Sequence, residues 1–244
     1  MRRLLPVLRS LVFVAWMYGL MIAMGLVFLP VLAGPVRWVR ALVIVWMRLV
    51  FWGLRVFCGV RLRVEGLEHI PAGGALVASK HQAMVDVLWP WLYCSSPALI
   101  FKKELALLPV FGWYALKLQN VMVDRGGHAK ALRKMLRRCK QLIAQGRQIF
   151  IFPEGTRTLP GQHVNYKPGV AALYLHLDTP CVPVALNSGL HWPAHGLVRT
   201  PGVITVRILP PIAPGLTREA FMATLEERIE SASDKLLRCT SPKA

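Results

Sequence analysis

The chain has 244 residues, 55% hydrophobic and only 17% charged, which excludes a disordered chain and leaves room for one large core with an appendage. Thirty Lys and Arg against 12 Asp and Glu give a formal net charge of +18. On so apolar a chain this basicity argues against a nucleic-acid partner and for an anionic membrane surface, where each Lys or Arg near the headgroups contributes about 1 kcal/mol.

The first acidic residue is Glu65, and nine arginines precede it. Residues 11–29 carry no charge, and as a helix they would reach about 28 Å, close to the thickness of a bilayer core. Arg2, Arg3 and Arg9 resemble the basic start of a signal peptide, but the apolar run is too long for one and a second apolar stretch follows directly. The segment is therefore expected to stay on the chain. That second stretch, 41–60, contains Arg48 and Arg55, whose insertion would cost about 5–7 kcal/mol against about 3–6 returned by its Leu, Val, Ile and Phe residues. Arg37, Arg40, Arg48 and Arg55 fall on a helical stripe about 80° wide, which predicts an interfacial amphipathic helix with arginines toward headgroups. Pro30, Gly34 and Pro35 break the chain between the stretches. Residues 1–59 thus read as a membrane-associated helical hairpin, with two transmembrane helices as the alternative.

From residue 60 to 244 the pattern is that of an α/β domain. Short runs rich in Val, Ile, Leu and Phe at 61–65, 75–79, 99–101, 121–124, 148–152, 182–186 and 203–208 predict strands. Helical patterns lie at 86–93, 128–145, 170–177 and 217–237, the last with an acidic start (Glu219) and a basic end (Lys235, Arg238) that suit the helix dipole. This alternation predicts a mixed, mostly covered sheet flanked by helices. The five cysteines are odd in number and form no CxxC pair, which points to a reducing compartment rather than a disulfide framework. The six cations between Lys130 and Lys140 read as a solvated helix face, with docking of an acidic donor as the alternative.

His81 follows an apolar strand and is followed five residues later by Asp86. A histidine held by a carboxylate is a general base of fixed tautomer, suited to taking a proton from a hydroxyl. The run from Phe152 to Arg157 also follows a strand: Gly155 permits a tight turn with free N–H groups, and Arg157 offers a planar fork for phosphate. Asp124, Arg125 and Lys102 end two further strands, so four polar clusters are expected to converge beyond the carboxyl edge of one sheet. His191 and His195 are four apart, but Trp192 and Pro193 between them argue against a helix and no third ligand is evident, so no metal site is expected.

The series His81-x4-Asp86, Lys102-x-Glu104-Leu105 with Pro109-x-x-Gly112, Asp124-Arg125, the FPEGTR run 152–157, and Val182-Pro183-Val184 resembles the 1-acylglycerol-3-phosphate acyltransferase family. ALNSG at 185–189, followed by Trp192, is similar to bacterial members in particular. The resemblance spans 61–192, and FPEGTR is its most specific part. Lys80 departs from the asparagine common before the histidine, and Gln119 from the glycine that usually opens the Asp-Arg block.

The resemblance implies transfer of a fatty acyl group from acyl-CoA or acyl-carrier protein to the sn-2 hydroxyl of lysophosphatidic acid, giving phosphatidic acid. It implies His81 as base and Asp86 as its orienter, with no cofactor beyond the thioester co-substrate. Arg157, Arg125 and Lys102 would bind the phosphate, helped by backbone donors at Gly155 and Thr156, while Glu154, Lys167 and Pro183 would support the motifs. It places the protein at an inner membrane with its catalytic domain facing the cytoplasm. Acylation of glycerol 3-phosphate or another lysolipid, and a non-catalytic lipid-binding adaptor, are the competing readings.

Overall fold

The computed structural model describes residues 4–124, 126 and 128–240. The apolar leader folds as two helices, α1 (Leu4–Val27) and α2 (Val36–Cys58), joined by a short 3-10 turn at Leu29–Ala33 that contains Pro30. Both are long and apolar enough to cross a membrane by length and composition. Leu4, Leu8, Leu11, Val27 and Phe28 of this hairpin, and Trp38, Trp52 and Val56 on α2, face outward, while Phe13, Met17, Val39 and Leu54 are buried against the rest of the chain. The hairpin thus has the length and outward apolar face of a membrane-associating segment. The arginine stripe needs one correction. Arg37, Arg48 and Arg55 are exposed, but Arg40 is half-buried and donates through Nη2 to the Cys94 carbonyl at 3.1 Å.

All seven expected strands form: β1 (Val60–Glu65), β2 (Ala75–Ser79), β3 (Pro97–Lys102), β4 (Val121–Val123), β5 (Gln148–Ile151), β6 (Cys181–Leu186) and β7 (Gly202–Ile208). They make one sheet in the order β1-β7-β6-β2-β5-β3-β4. β2 through β6 run parallel, whereas β7 is antiparallel to β6 and carries β1 parallel to itself. β2, β5 and β6 are buried at every position, as expected for strands covered on both faces. Their alternating side chains feed two cores. Val77, Leu99, Phe150 and Val184 pack with the hairpin. Leu76, Ala98, Ile149 and Ile151 pack with α5 (His128–Ala144), α6 (Gly169–Leu177) and α7 (Arg218–Thr240).

Two helical expectations change. The run 86–93 is a 3-10 turn at Met84–Val87 followed by a one-turn helix, α3 (Pro90–Tyr93), because Pro90 lacks the N–H needed to extend the turn into a continuous helix. A helix absent from the sequence reading, α4 (Phe111–Lys117), follows the Pro109 turn. Its run FGWYALK is apolar nearly all round, so it shows no period. Tertiary contact explains it: the Tyr114 hydroxyl donates to the Gly25 carbonyl of α1 at 3.0 Å, and Gly112 lies so close to the Ala106 carbonyl that a Cβ there would collide with it. All five cysteines are free, four of them buried.

Candidate active site

Because β2, β3, β4 and β5 are parallel, the residues that follow them emerge at one edge of the sheet. β2 continues into Lys80, whose N–H donates to Val184 at 2.9 Å, and then turns at His81. Asp86 shapes that turn. Its Oδ2 accepts the backbone N–H groups of Gln82 at 2.6 Å and Ala83 at 2.7 Å, and lies 3.0 Å from His81 Nδ1. Asp86 is fully buried, and these donors compensate the burial of its carboxylate. With the carboxylate ionised, Nδ1 carries the ring proton and Nε2 keeps a lone pair. Phe152 stacks on the imidazole at 4.1 Å and 25°, fixing the ring plane.

The loop after β5 is tied to the same turn. Thr158 N–H donates to the His81 carbonyl at 2.8 Å, and Glu154 Oε2 accepts the His81 N–H at 3.0 Å. The Thr158 hydroxyl lies 3.2 Å from both the His81 carbonyl and Glu154 Oε1. Burial pushes the Glu154 carboxyl up to about 7, against the opposing pull of the Lys80 ammonium. Gly155 takes φ +72, and a Cβ there would press against the stem of Lys167 at 3.2 Å, so the turn requires glycine.

Between Glu154 and Thr158, Thr156 and Arg157 project as exposed side chains, and Arg157 has no hydrogen bond or ion pair among the described residues. An exposed guanidinium next to Thr158 and three residues from Glu154, the two residues that hold His81, can take a phosphate bidentately. Lys102 is exposed at the end of β3, two strand spacings or about 10 Å across the sheet from β2. Its neighbour Lys103 pairs with Asp124 at 2.6 Å. Arg125 lies outside the described residues. Lys167 is exposed, its N–H donating to Pro153 at 2.7 Å, so it borders the Gly155 turn. Pro183 sits inside β6 opposite Ala78, and its carbonyl accepts the Leu209 N–H at 2.9 Å. His191 Nδ1 lies 3.1 Å from the Thr200 carbonyl.

A family model described as Acyltransferase matches residues 61–187, from β1 through β6 and including His81, Asp86, Glu154, Arg157 and Lys167. The chain belongs to the acyltransferase family. It is therefore an enzyme of acyl transfer, and the reading of it as a non-catalytic lipid-binding adaptor is set aside. The acyltransferase is 32% identical over 213 residues to a 1-acyl-sn-glycerol-3-phosphate acyltransferase of Pseudomonas aeruginosa, covering 87% of this chain and 82% of that one. It is 30% identical over 211 residues to the human 1-acyl-sn-glycerol-3-phosphate acyltransferase alpha, covering 84% and 74%. Against a Limnanthes douglasii enzyme of the same name the match is 29% over 156 residues, 63% of this chain and 55% of that one. The fold superposes on the crystal structure of a 1-acyl-sn-glycerophosphate acyltransferase from Thermotoga maritima with a TM-score of 0.80, covering 97% and 98% of the two chains at 24% identity.

Sequence reasoning missed the group behind this site. Gln82 Oε1 accepts the Gly189 N–H at 3.1 Å, bracing the turn against the loop after β6. Lys80, noted only as a departure, is buried and pairs with Glu230 of α7. A lysine separated only by Ser79 from the apolar run 75–78 was the available signal, since a buried ammonium needs a carboxylate somewhere in the chain.

Proposed function

We propose that this acyltransferase moves a fatty acyl group from acyl-CoA or acyl-carrier protein to the sn-2 hydroxyl of 1-acylglycerol 3-phosphate, giving phosphatidic acid for phospholipid synthesis. The observation that carries the reading is the 3.0 Å pairing of His81 Nδ1 with Asp86 beside the exposed Arg157 loop: a base and an anion site share one edge of the sheet. His81 Nε2 takes the hydroxyl proton as the oxygen attacks the thioester carbonyl. The new C–O bond forms, the C–S bond breaks, and the proton passes from His81 to the departing thiolate. Asp86 orients the ring and stabilises its charged form. Arg157, with Lys102 and Arg125, holds the acceptor phosphate and the Thr156 N–H adds a donor, whereas the Gly155 N–H, expected to be free, is donated to the Phe152 carbonyl at 3.0 Å and closes the turn instead. An activated donor makes a protein nucleophile unnecessary, and the chemistry requires no cofactor or metal.

The relatives' names support the acceptor, and the outward apolar face of the hairpin supports a membrane-seated enzyme to which a lysolipid has direct access. Leu107, Leu108, Trp113 and Leu116, in and before α4, are also exposed and extend that apolar surface toward the end of β3. A donor made in the cytoplasm places the catalytic domain on the cytoplasmic side of the inner membrane. The test is thiol release by purified protein in vesicles, with His81→Ala beside the parent, over a panel of acceptors. Turnover with 1-acylglycerol 3-phosphate that falls about 10²–10⁴-fold in the variant supports the reading. Preference for glycerol 3-phosphate or another lysolipid reassigns the acceptor, and near-normal turnover by His81→Ala removes the base.

A further inference from the structure

Lys80 stands beside the histidine, but its ammonium is directed into the protein and is 1% exposed. It donates to both oxygens of Glu230 on α7, at 2.7 and 2.6 Å, and to the Gln162 carbonyl at 3.3 Å. Glu154 Oε1 lies 3.3 Å from the same nitrogen. The Tyr166 hydroxyl donates to Glu230 Oε1 at 2.7 Å, and at the rim His163 sits 3.6 Å from Glu230 and 3.4 Å from Asp234. A line of polar contacts therefore runs from α7 to the catalytic turn: Glu230, Lys80, Glu154, and then the His81 backbone N–H.

Stability alone does not account for this arrangement. α7 otherwise buries apolar side chains such as Phe221, Leu225 and Ile229, and replacing a buried ion pair by packed hydrophobes is commonly neutral or stabilising. The group also has a function in reach, because Glu154 uses one oxygen for Lys80 and the other for His81. α7 lies outside the region matched by the family model. We propose that Lys80 and Glu230 are positioning residues of the transfer: through Glu154 they fix the backbone of His81 and set the local charge against which its ring takes up a proton. This rests on the reading of His81 as the base. The charged and titratable groups around it are then Asp86 on its own turn, Glu154, Arg157 and Lys167 after β5, Lys80, Tyr166 and His163 behind, and Glu230 and Asp234 on α7.

The experiment compares the full-length parent with Lys80→Met, Glu230→Gln and the double variant, recording kcat, acceptor KM and the pH profile of kcat/KM by thiol release in detergent micelles. Both single variants are expected to lose about tenfold or more in kcat with acceptor KM changed less than about threefold. Loss of a cation should move the acid limb of the profile up by about half a pH unit or more in Lys80→Met, and loss of an anion should move it down similarly in Glu230→Gln. The double variant restores the net charge and should return the limb to the parent position. Limbs that stay still, or that move the same way in both variants, overturn the proposal and leave the pair a structural filler. Glu230→Gln is nearly isosteric and carries the test alone where Lys80→Met does not fold. An inactive His81→Ala with unmoved limbs rejects only the positioning role, whereas an active His81→Ala rejects the base itself.

Discussion

His81 Nδ1 and Asp86 Oδ2 lie 3.0 Å apart, and the same oxygen collects the N–H groups of Gln82 and Ala83. Asp86 thus shapes the turn and orients the ring with a single atom. In Asp86→Asn the amide oxygen can take over the three contacts, so the turn should survive while the negative charge is lost. We expect kcat to fall about 10²–10⁴-fold. Asp86 Oδ1 has no hydrogen-bond partner among the described residues, so the new amide nitrogen would sit buried without an acceptor, at a cost of about 1–3 kcal/mol in denaturant unfolding. Turnover close to the parent's would show that the charge is dispensable.

Arg157 is exposed and makes no hydrogen bond or ion pair among the described residues. Arg157→Ala should therefore leave the unfolding midpoint within about 0.5 kcal/mol of the parent while raising acceptor KM and lowering kcat together, since a phosphate anchor both binds and places the hydroxyl. Arg157→Lys should remain impaired, because an ammonium cannot reproduce a two-pronged contact. A lysine variant with parent kinetics would reject the bidentate mode.

Glu154 gives a pH signature. Its carboxyl titrates near 7 in the fold, raised by burial from an ordinary value of 4.5. Between those values the folded chain holds a proton that the unfolded chain has released, so this group makes the protein less stable as pH rises through the window, with no further change above it. Glu154→Gln cannot titrate. The stability of the parent relative to Glu154→Gln should fall between pH 5 and pH 8, by an amount on the order of 3 kcal/mol at most. Urea midpoints measured at the two pH values check it, and a difference that stays constant or grows would mean that Lys80 keeps the carboxylate ionised throughout.

The strands were readable because β2, β5 and β6 are mostly apolar runs, interrupted only by Ser79 and Gln148 at their ends, and the site because its polar residues follow such runs. α4 was hidden because both of its faces are apolar, Tyr114 and Ala115 packed inward and Trp113 and Leu116 exposed, so no polar face reveals a period. Helical angle groups Arg40 with Arg37, Arg48 and Arg55, because it does not contain the Cys94 carbonyl that Arg40 reaches. Glu230 was invisible for a similar reason: its partner lies 150 residues away.

Gln119 adopts the left-handed backbone conformation that favours glycine. Its φ is +60, and its N–H donates to the Leu116 carbonyl at 2.8 Å as α4 ends. A left-handed backbone costs a side-chain residue about 1–2 kcal/mol, while glycine adds about 0.5–1 kcal/mol of unfolded-state entropy. Gln119→Gly should therefore stabilise the fold by about 0.5–1 kcal/mol and leave kcat unchanged. A destabilised variant would show that the Gln119 side chain makes a contribution larger than its strain.

The exposed arginines of α2 separate membrane attraction from structure. Arg37, Arg48 and Arg55 have their charges in solvent, whereas Arg40 is bound to the Cys94 carbonyl after α3. Replacing the three exposed arginines with glutamine removes about 3 kcal/mol of attraction to anionic headgroups, roughly a hundredfold in partitioning. Activity on anionic vesicles should fall accordingly, while activity in neutral detergent micelles should remain near the parent's. Arg40→Gln should behave oppositely, lowering thermal stability and affecting both settings alike, because what it loses is a contact inside the protein. If the triple variant lost activity equally in both settings, the three arginines would be structural. Full activity of that variant on anionic vesicles would leave membrane attachment to the outward apolar face of the hairpin alone.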